Sequence, residues 1–180
     1  ICSLHGPIYR RKEDILTCFK KYQTWGSYSP EDDEVVIFSG SVYGHTEEFS
    51  TLLATLVAQR GIRNTKVLDI SSIDVSYLLS EAFRAKVLVF ASSSYNGGLF
   101  TPMENFLMDL VAHNFQNRDV FVVENGSWAL TAGKSMREII GQLKKVNIAE
   151  ETISIKSLLT KDQYADAVAM ADKIVECLKK

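Results

Sequence analysis

From residue 34 to the C-terminus, short β-rich runs alternate with stretches of helical periodicity. The helical patterns lie at about 46–60, 74–84, 102–113, 132–146 and 161–179. This alternation predicts βαβ units and therefore a parallel sheet. The five β-rich runs that precede the helical patterns are EVVIF (34–38), KVLDI (66–70), KVLVFA (86–91), DVFVV (119–123) and ETISI (151–155).

The third and fourth β-rich runs are almost wholly apolar, as strands buried on both faces of a sheet are expected to be. Right-handed crossovers would then place helices on both faces and give an α/β fold, a three-layer α/β/α sandwich. The chain has 180 residues, of which 46% are hydrophobic, and this is enough for one domain with a sizeable core. We therefore predict one domain over residues 34–180.

The first 33 residues do not follow this alternation. Apolar residues at helical spacing in EDILTCFKKYQTW (13–25) predict a short helix, and GSYSPEDD (26–33) has the composition of a linker. Residues 1–33 are therefore predicted to form a leading segment with a short helix and a linker.

Charge and composition exclude several functional classes. The formal net charge is −2, so no basic field favours nucleic acid or an anionic membrane as a partner. An uninterrupted apolar span of about 18 residues is missing, so we predict no membrane helix. Three scattered cysteines and a start unlike a signal peptide fit a reducing, cytoplasmic location.

The loop after the first strand, SGSVYGHT (39–46), has the features of an anion site. A strand, a glycine-containing loop and a helix opening at Thr46 would place unpaired backbone N–H groups at a helix N-terminus. We expect Thr46 to be the N-cap, with Glu47 and Glu48 in the first turn. The loop has no Lys or Arg and lacks the G-x-x-x-x-G-K-[ST] spacing, so a single phosphate fits better than a polyphosphate. A capped helix start without a ligand is the alternative.

Two further loops are expected at the same edge of the sheet. SSSYNGGLFTP (92–102) follows the third strand, and ENGSWALTAG (124–133) follows the fourth. They carry Tyr95 and Trp128, two rings that can sandwich a flat heterocycle, while surface packing of each ring is the alternative. Pro102 suits the first turn of the next helix. Together the three loops indicate a site for a mononucleotide with a planar ring.

Three segments resemble a known family: SVYGHTEEF (41–49), SSSYNGGLFTPMENFL (92–107) and NGSWALTAGKSM (125–136). They are similar to motifs of flavodoxin-like domains, and more closely to the C-terminal domain of flavodiiron proteins (A-type flavoproteins). The resemblance implies a flavodoxin-like fold with a five-stranded parallel sheet in the order 2-1-3-4-5. HGPIYR (5–10) and the leading helix resemble the junction to the diiron domain of that family, which implies that such a domain is missing here.

The resemblance also implies FMN as a non-covalent cofactor. The first loop would surround the phosphate, and the second and third loops would contact the isoalloxazine ring. The cofactor-binding residues implied in this way are Ser41, Val42, Tyr43, Gly44, His45, Thr46, Ser94, Tyr95, Asn96, Gly97, Gly98, Ser127, Trp128 and Ala129.

The function that the resemblance implies is electron transfer by the flavin. In this family, FMN passes electrons to a diiron site that reduces O2 or NO, and a rubredoxin-like protein or a reductase supplies them. A homodimer is compatible with this interpretation. His5 resembles the last iron ligand of the diiron domain, but the other ligands of such a centre are missing from this chain. We therefore predict no metal site, no catalytic residue and no terminal reductase activity in the chain alone.

Other functions stay open from the sequence. A free-standing flavodoxin-type electron carrier or NAD(P)H:quinone reductase would share the fold, although no second nucleotide fingerprint is visible. A ligand-free interaction module is a further alternative. His45 stands where the family commonly has Asn, and it would either donate to the phosphate or face solvent.

Overall fold

A computed structural model describes residues 1–161 and 163–179. Asp162 falls within the predicted last helix and Lys180 within the predicted domain, and both lie outside the described residues. In chain order the elements are α1 (Lys12–Gly26), β1 (Asp32–Gly40), α2 (His45–Gln59), β2 (Thr65–Asp69), α3 (Val75–Arg84), β3 (Ala85–Tyr95), β4 (Gly98–Leu99), α4 (Thr101–Ala112), β5 (Gln116–Asn125), α5 (Ala132–Ile140), β6 (Lys144–Ile155) and α6 (Gln163–Lys179).

Five long strands form the sheet in the order β2-β1-β3-β5-β6. Each neighbouring pair in this order is parallel. The short β4 lies off this path and pairs antiparallel with the end of β3. When β4 is set aside, the observed order is the predicted order 2-1-3-4-5, which is therefore confirmed.

Side chains on alternate positions of the strands fill two separate cores. On β1, Val35 and Ile37 face the core that α2 and α6 cover. Val36 and Phe38 face the opposite core, which α3, α4 and α5 cover. Both sets are fully buried, as the period of two in a strand requires. The predicted three-layer α/β/α sandwich is confirmed.

The boundary between α5 and β6 differs from the prediction. The helical pattern at 132–146 predicted a helix through residue 146, but α5 ends at Ile140 and β6 begins at Lys144. Gly141 is the C-cap and keeps right-handed backbone angles, with φ −62°, so a left-handed glycine does not end this helix. The predicted helix was too long because Leu143 keeps helical spacing with Ile140 beyond the end of α5.

The leading helix α1 lies on the outside of the molecule. None of its residues is buried, and Leu16, Phe19 and Tyr22 are each at least half exposed. Its last turn is tied to the linker, because Trp25 Nε1 and Lys21 Nζ both donate to the Glu31 carboxylate, at 2.5 and 2.6 Å. Within the described residues, no helix is long and apolar enough to cross a membrane.

Candidate functional site

A cleft of about 380 Å³ opens at the carboxyl ends of β1, β3 and β5. The three loops that the sequence singled out meet there, as the topology requires. All of the predicted cofactor-binding residues line it except Gly44 and Gly98. Those that do are Ser41, Val42, Tyr43, His45, Thr46, Ser94, Tyr95, Asn96, Gly97, Ser127, Trp128 and Ala129.

The first loop turns tightly into α2. Gly44, not Thr46, is the N-cap, with φ 92°, and its N–H donates to Ser41 Oγ at 2.9 Å. The prediction that Thr46 caps the helix is therefore wrong. The expected acidic first turn is present, since Glu47 and Glu48 lie in it. Because the first N–H groups of a helix have no intrahelical acceptor, the start of α2 offers backbone donors beside the cleft.

Thr46 has a different role from the one expected. It is the second residue of α2 and is buried, and its Oγ1 lies 3.0 Å from Oγ of Ser93. This pair joins the first loop to the end of β3. The sequence singled out Thr46 as a cap because threonine next to an acidic pair is typical of a helix start, but the left-handed turn at Gly44 places the N-cap two residues earlier.

His45 lies at the mouth of the cleft beside an exposed carboxylate. Its Nδ1 is 3.3 Å from Oε2 of Glu48, and its side chain is 39% exposed. Among the residues that line the cleft in the described chain, none is Lys or Arg. Any anion in the cleft would therefore be held by hydroxyls, backbone N–H groups and the N-terminal end of α2, with the His45 imidazole at the mouth of the cleft.

The second loop is a tight hairpin rather than an irregular loop. β3 continues to Tyr95, which pairs with Gly98 of β4 across the two residues Asn96 and Gly97. Both have positive φ, 49° and 74°, and Asn-Gly is the preferred pair for such two-residue turns. Pro102 lies in the first turn of α4 as predicted.

The two predicted aromatic residues both reach the cleft, but they are differently supported. Tyr95 is 45% exposed and packs edge-on against Phe100, with ring centroids 6.2 Å apart. Trp128 is fully exposed, and no ring contact between it and Tyr95 occurs in the described part of the chain. The structure therefore brings both rings to one cleft without stacking one on the other.

Hydrogen bonds connect the second and third loops. Ser94 Oγ accepts from the N–H groups of Thr131 and Ala132, at 3.1 and 3.2 Å, and thereby caps the start of α5. Thr131 Oγ1 donates to the carbonyl of Gly98 at 2.9 Å. Ser94 thus acts partly as a support between the two loops.

Four residues of the cleft were not predicted: Ser93, Asn125, Gly126 and Ser157. The first three lie inside the loops that the sequence singled out, so the Gly-rich and Ser-rich composition of those loops was a usable signal. Ser157 follows β6, where the sequence shows no such composition. Only the position of β6 next to β5 brings Ser157 to the cleft.

Comparison with known proteins agrees with this architecture, although no family model matches the chain. Rubredoxin oxygen:oxidoreductase of the anaerobe Desulfovibrio gigas superposes on 97% of this chain and 43% of its own, with a TM-score of 0.87 and 22% identity. A flavodoxin from the domain Archaea superposes on 82% of this chain and 99% of its own, with a TM-score of 0.68 and 17% identity. The chain has a flavodoxin-like fold.

A curated relative resembles the chain in sequence as well. The anaerobic nitric oxide reductase flavorubredoxin of Aeromonas hydrophila is 24% identical over 139 residues, which cover 74% of this chain. The chain spans 26% of that relative's length. The likeness to flavodiiron-type proteins thus covers a part of those proteins, and the predicted flavodoxin-like fold is confirmed.

Proposed function

We propose that the chain is a flavodoxin-like electron-transfer domain that binds FMN without a covalent bond. The observation that carries this proposal is the convergence of three strand-end loops on one cleft. A helix N-terminus lies at one part of that cleft and two aromatic rings at another. The names of the similar proteins, a flavorubredoxin and a flavodoxin, support the same cofactor class.

The hydroxyl chemistry at the start of α2 fits a phosphate. Ser41 Oγ accepts a hydrogen bond from Gly44 and keeps its own O–H to donate. Thr46 and Ser93 share one hydrogen between two hydroxyls, so one O–H of that pair also remains to donate outward. Together with the N–H groups of the first turn of α2, these donors would hold the phosphate without a cation.

The other part of the cleft fits a flat ring. Tyr95 and Trp128 both offer partly or fully exposed aromatic surface, and base-like heterocycles stack well on such rings. The remaining wall is the exposed backbone of the Asn96–Gly97 turn and the loop at Ser127 and Ala129. When bound, FMN would supply the one- and two-electron chemistry, while these residues bind and orient it.

We further propose that the chain is the flavin domain of a longer, flavodiiron-type oxidoreductase. The oxidoreductase of D. gigas superposes on 97% of this chain, whereas the archaeal flavodoxin superposes on 82%. We attribute this difference to the leading segment 1–33, whose helix α1 exposes an apolar face. In this proposal, electrons pass from a rubredoxin-like or reductase donor through FMN to a diiron site in the rest of the protein. A homodimer and a cytoplasmic location stay predictions.

Reconstitution with FMN tests the proposal. The purified chain, mixed with FMN and freed of excess by gel filtration, should be yellow, and the cofactor released by heating should have the mass of FMN. Flavin fluorescence should be quenched in a saturable titration with one site per chain. A protein that stays colourless and leaves the fluorescence of added FMN unchanged would disprove the proposal.

A free-standing flavodoxin-type carrier is the second candidate, because the archaeal flavodoxin superposes over 99% of its own length. Under anaerobic conditions, a carrier or relay domain should exchange electrons with a reduced rubredoxin without consuming NO. An NAD(P)H:quinone reductase would instead oxidise NAD(P)H with a quinone in steady state. Steady NAD(P)H oxidation by the FMN-loaded chain would favour the reductase over both electron-transfer functions.

A further inference from the structure

The buried amide of Asn125 holds a loop that the flavin-site motifs do not include. Asn125 is the last residue of β5 and is 5% exposed. Its Nδ2 donates to the carbonyl of Ser157, and its Oδ1 accepts from the N–H of Ser157, both at 3.0 Å. One side chain therefore satisfies both main-chain groups of a single residue in the loop after β6.

Ser157 is fixed from a second side by the third loop. Its Oγ lies 2.6 Å from Oγ of Ser127, and the N–H of Gly126 donates to the carbonyl of Ile155 at 3.0 Å. Ser157 has φ 64°, a left-handed conformation that costs a non-glycine residue free energy unless its surroundings hold it. The hydrogen bonds from Asn125 and Ser127 supply that restraint.

Both hydroxyl-bearing residues of this contact line the cleft, since Ser127 and Ser157 belong to its wall. Ser127 directly precedes Trp128, so the contact also anchors the segment that carries the exposed indole. In the sheet, β6 follows β5, and β3 separates β5 from β1. With strands about 4.8 Å apart, the end of β6 lies roughly 14 Å across the sheet from the end of β1, where α2 begins.

We propose that Asn125 is a positioning residue of the flavin site. It holds the loop after β6 as a fourth wall of the cleft. It also fixes Ser127 and Trp128 at the ring end, the part of the cleft that carries the aromatic residues, away from the phosphate end at the start of α2. This inference rests on the proposed binding of FMN. It goes beyond that proposal because it assigns this part of the cleft to Asn125, which was not among the predicted binding residues, and to the loop after β6, which lies outside the three motif-bearing loops.

Comparison of FMN with riboflavin, which lacks the phosphate, tests this role. Asn125→Ala should weaken the binding of both flavins by the same factor, about 10-fold, because two hydrogen bonds that fix the ring end are removed. Thr46→Val, at the phosphate end, should weaken FMN alone. Dissociation constants come from quenching of flavin fluorescence, and thermal melting of the flavin-free variants reports on folding separately.

If Asn125→Ala does not fold, Ser157→Gly tests the same wall of the cleft through its hydroxyl contact with Ser127. Glycine adopts φ 64° without strain, so this variant removes the hydroxyl and keeps the loop conformation accessible. Ser157→Gly, Ser127→Ala and the double variant should each weaken both flavins by a similar factor of about 3, because the two hydroxyls act as one contact.

The outcomes distinguish a failure of the role of Asn125 from a failure of the proposed FMN binding on which it rests. A wild type that binds neither flavin contradicts FMN binding itself. The role of Asn125 would be overturned if the wild type binds FMN but shows no affinity for riboflavin. It would also be overturned if the variants at Asn125 and Ser157 bind both flavins normally, or if they lose FMN alone.

Discussion

Trp128 is the most exposed aromatic side chain at the cleft, and it buries nothing of its own. If it stacks on the flavin, Trp128→Ala should weaken FMN binding by about 1–3 kcal/mol. The melting temperature of the flavin-free protein should stay unchanged, because the indole makes no core contact. Fluorescence titration measures the effect, with Tyr77→Ala as the control, since Tyr77 on α3 is also largely exposed and lies outside the cleft. Equal affinity in wild type and Trp128→Ala would contradict stacking.

Gly126 lies where the third loop passes close to other backbone. A Cβ at this position would lie 2.6 Å from the carbonyl oxygen of Ala129 and 3.1 Å from Oγ of Ser94. Gly126→Ala should therefore shift the third loop, lower the free energy of unfolding by about 1–3 kcal/mol, and weaken FMN binding. Gly26→Ala is the matched control, because nothing lies within 4 Å of the point where a Cβ would be added. Urea unfolding of both variants checks this, and equal behaviour of the two would contradict the steric argument.

At the residue level, loop composition predicted most residues that line the cleft, but it did not reveal contacts that depend on the sheet topology. Glycines, hydroxyls and aromatics marked the three loops whose residues now line the cleft. Ser157 carries no such signal, since it reaches the cleft through its contact with Asn125. The hydroxyl pair of Thr46 and Ser93 joins residues 47 positions apart, and no local pattern reports a contact of that kind.

Arg118 connects the linker to the sheet and shows how one buried side chain can hold several elements. Arg118 is 4% exposed, and its guanidinium donates to the carbonyls of Tyr28, Phe83 and Ala85 at 2.5 to 2.6 Å. Burial lowers the pKa of Arg118 to about 10, so the group is still charged at neutral pH. Its charge is therefore balanced by carbonyl dipoles of the linker, of α3 and of β3.

Arg118→Met should lower the free energy of unfolding by about 3 kcal/mol, because buried carbonyls lose their donors. Urea unfolding measures this, and Arg118→Lys should restore part of the loss. Arg63→Met, at an exposed position, is the control and should change stability by less than about 0.5 kcal/mol. A loss no larger than that of the control would mean that the carbonyl contacts add nothing to stability.

The end of α1 should respond to acid through Glu31. Burial alone would raise the pKa of Glu31, but hydrogen bonds from Lys21 and Trp25 bring it below its ordinary value of 4.5. Because the folded-state pKa is lowered, this contact is present above pH 4.5 and is lost as the pH falls through the lowered value. In a Trp128→Phe background, Trp25 fluorescence should change with a midpoint below pH 4.5. Glu31→Gln should remove this transition, and a midpoint at or above 4.5 would contradict the assignment.

The sequence predicted element boundaries well where only strand or only helical periodicity is present. The prediction failed where the two periodicities overlap. β1 and β3 alternate between the two cores along their length, so their runs were located correctly from sequence. Residues 140–148 hold Ile140 and Leu143 at helical spacing, and then Val146 and Ile148 at strand spacing. The change of period lies inside the predicted helix, and its end at Ile140 becomes definite only when β6 pairs with β5.

For the whole molecule, the strand order explains why loops distant in sequence line one cleft. The ends of β1, β3 and β5 are neighbours in the sheet, so their loops converge without any direct sequence signal between them. The sequence predicted this order through its family resemblance, and the parallel register of each pair agrees with it. The outward-facing helix α1 is not part of this arrangement, since none of its residues is buried.

Two truncations separate the leading segment from the domain it precedes. A chain beginning at Ser27 lacks α1 but keeps Tyr28, whose carbonyl accepts from Arg118 and whose ring lies 6.2 Å from that of Phe83. Its free energy of unfolding should stay within about 1 kcal/mol of the full chain, with unchanged FMN affinity. A chain beginning at Asp32 loses Tyr28 as well and should be less stable by about 2–3 kcal/mol. If both truncated chains unfold at the same urea midpoint as the full chain, the contacts of Tyr28 with Arg118 and Phe83 contribute nothing to the free energy of unfolding. If the first already loses FMN, α1 belongs to the folded unit that forms the cleft.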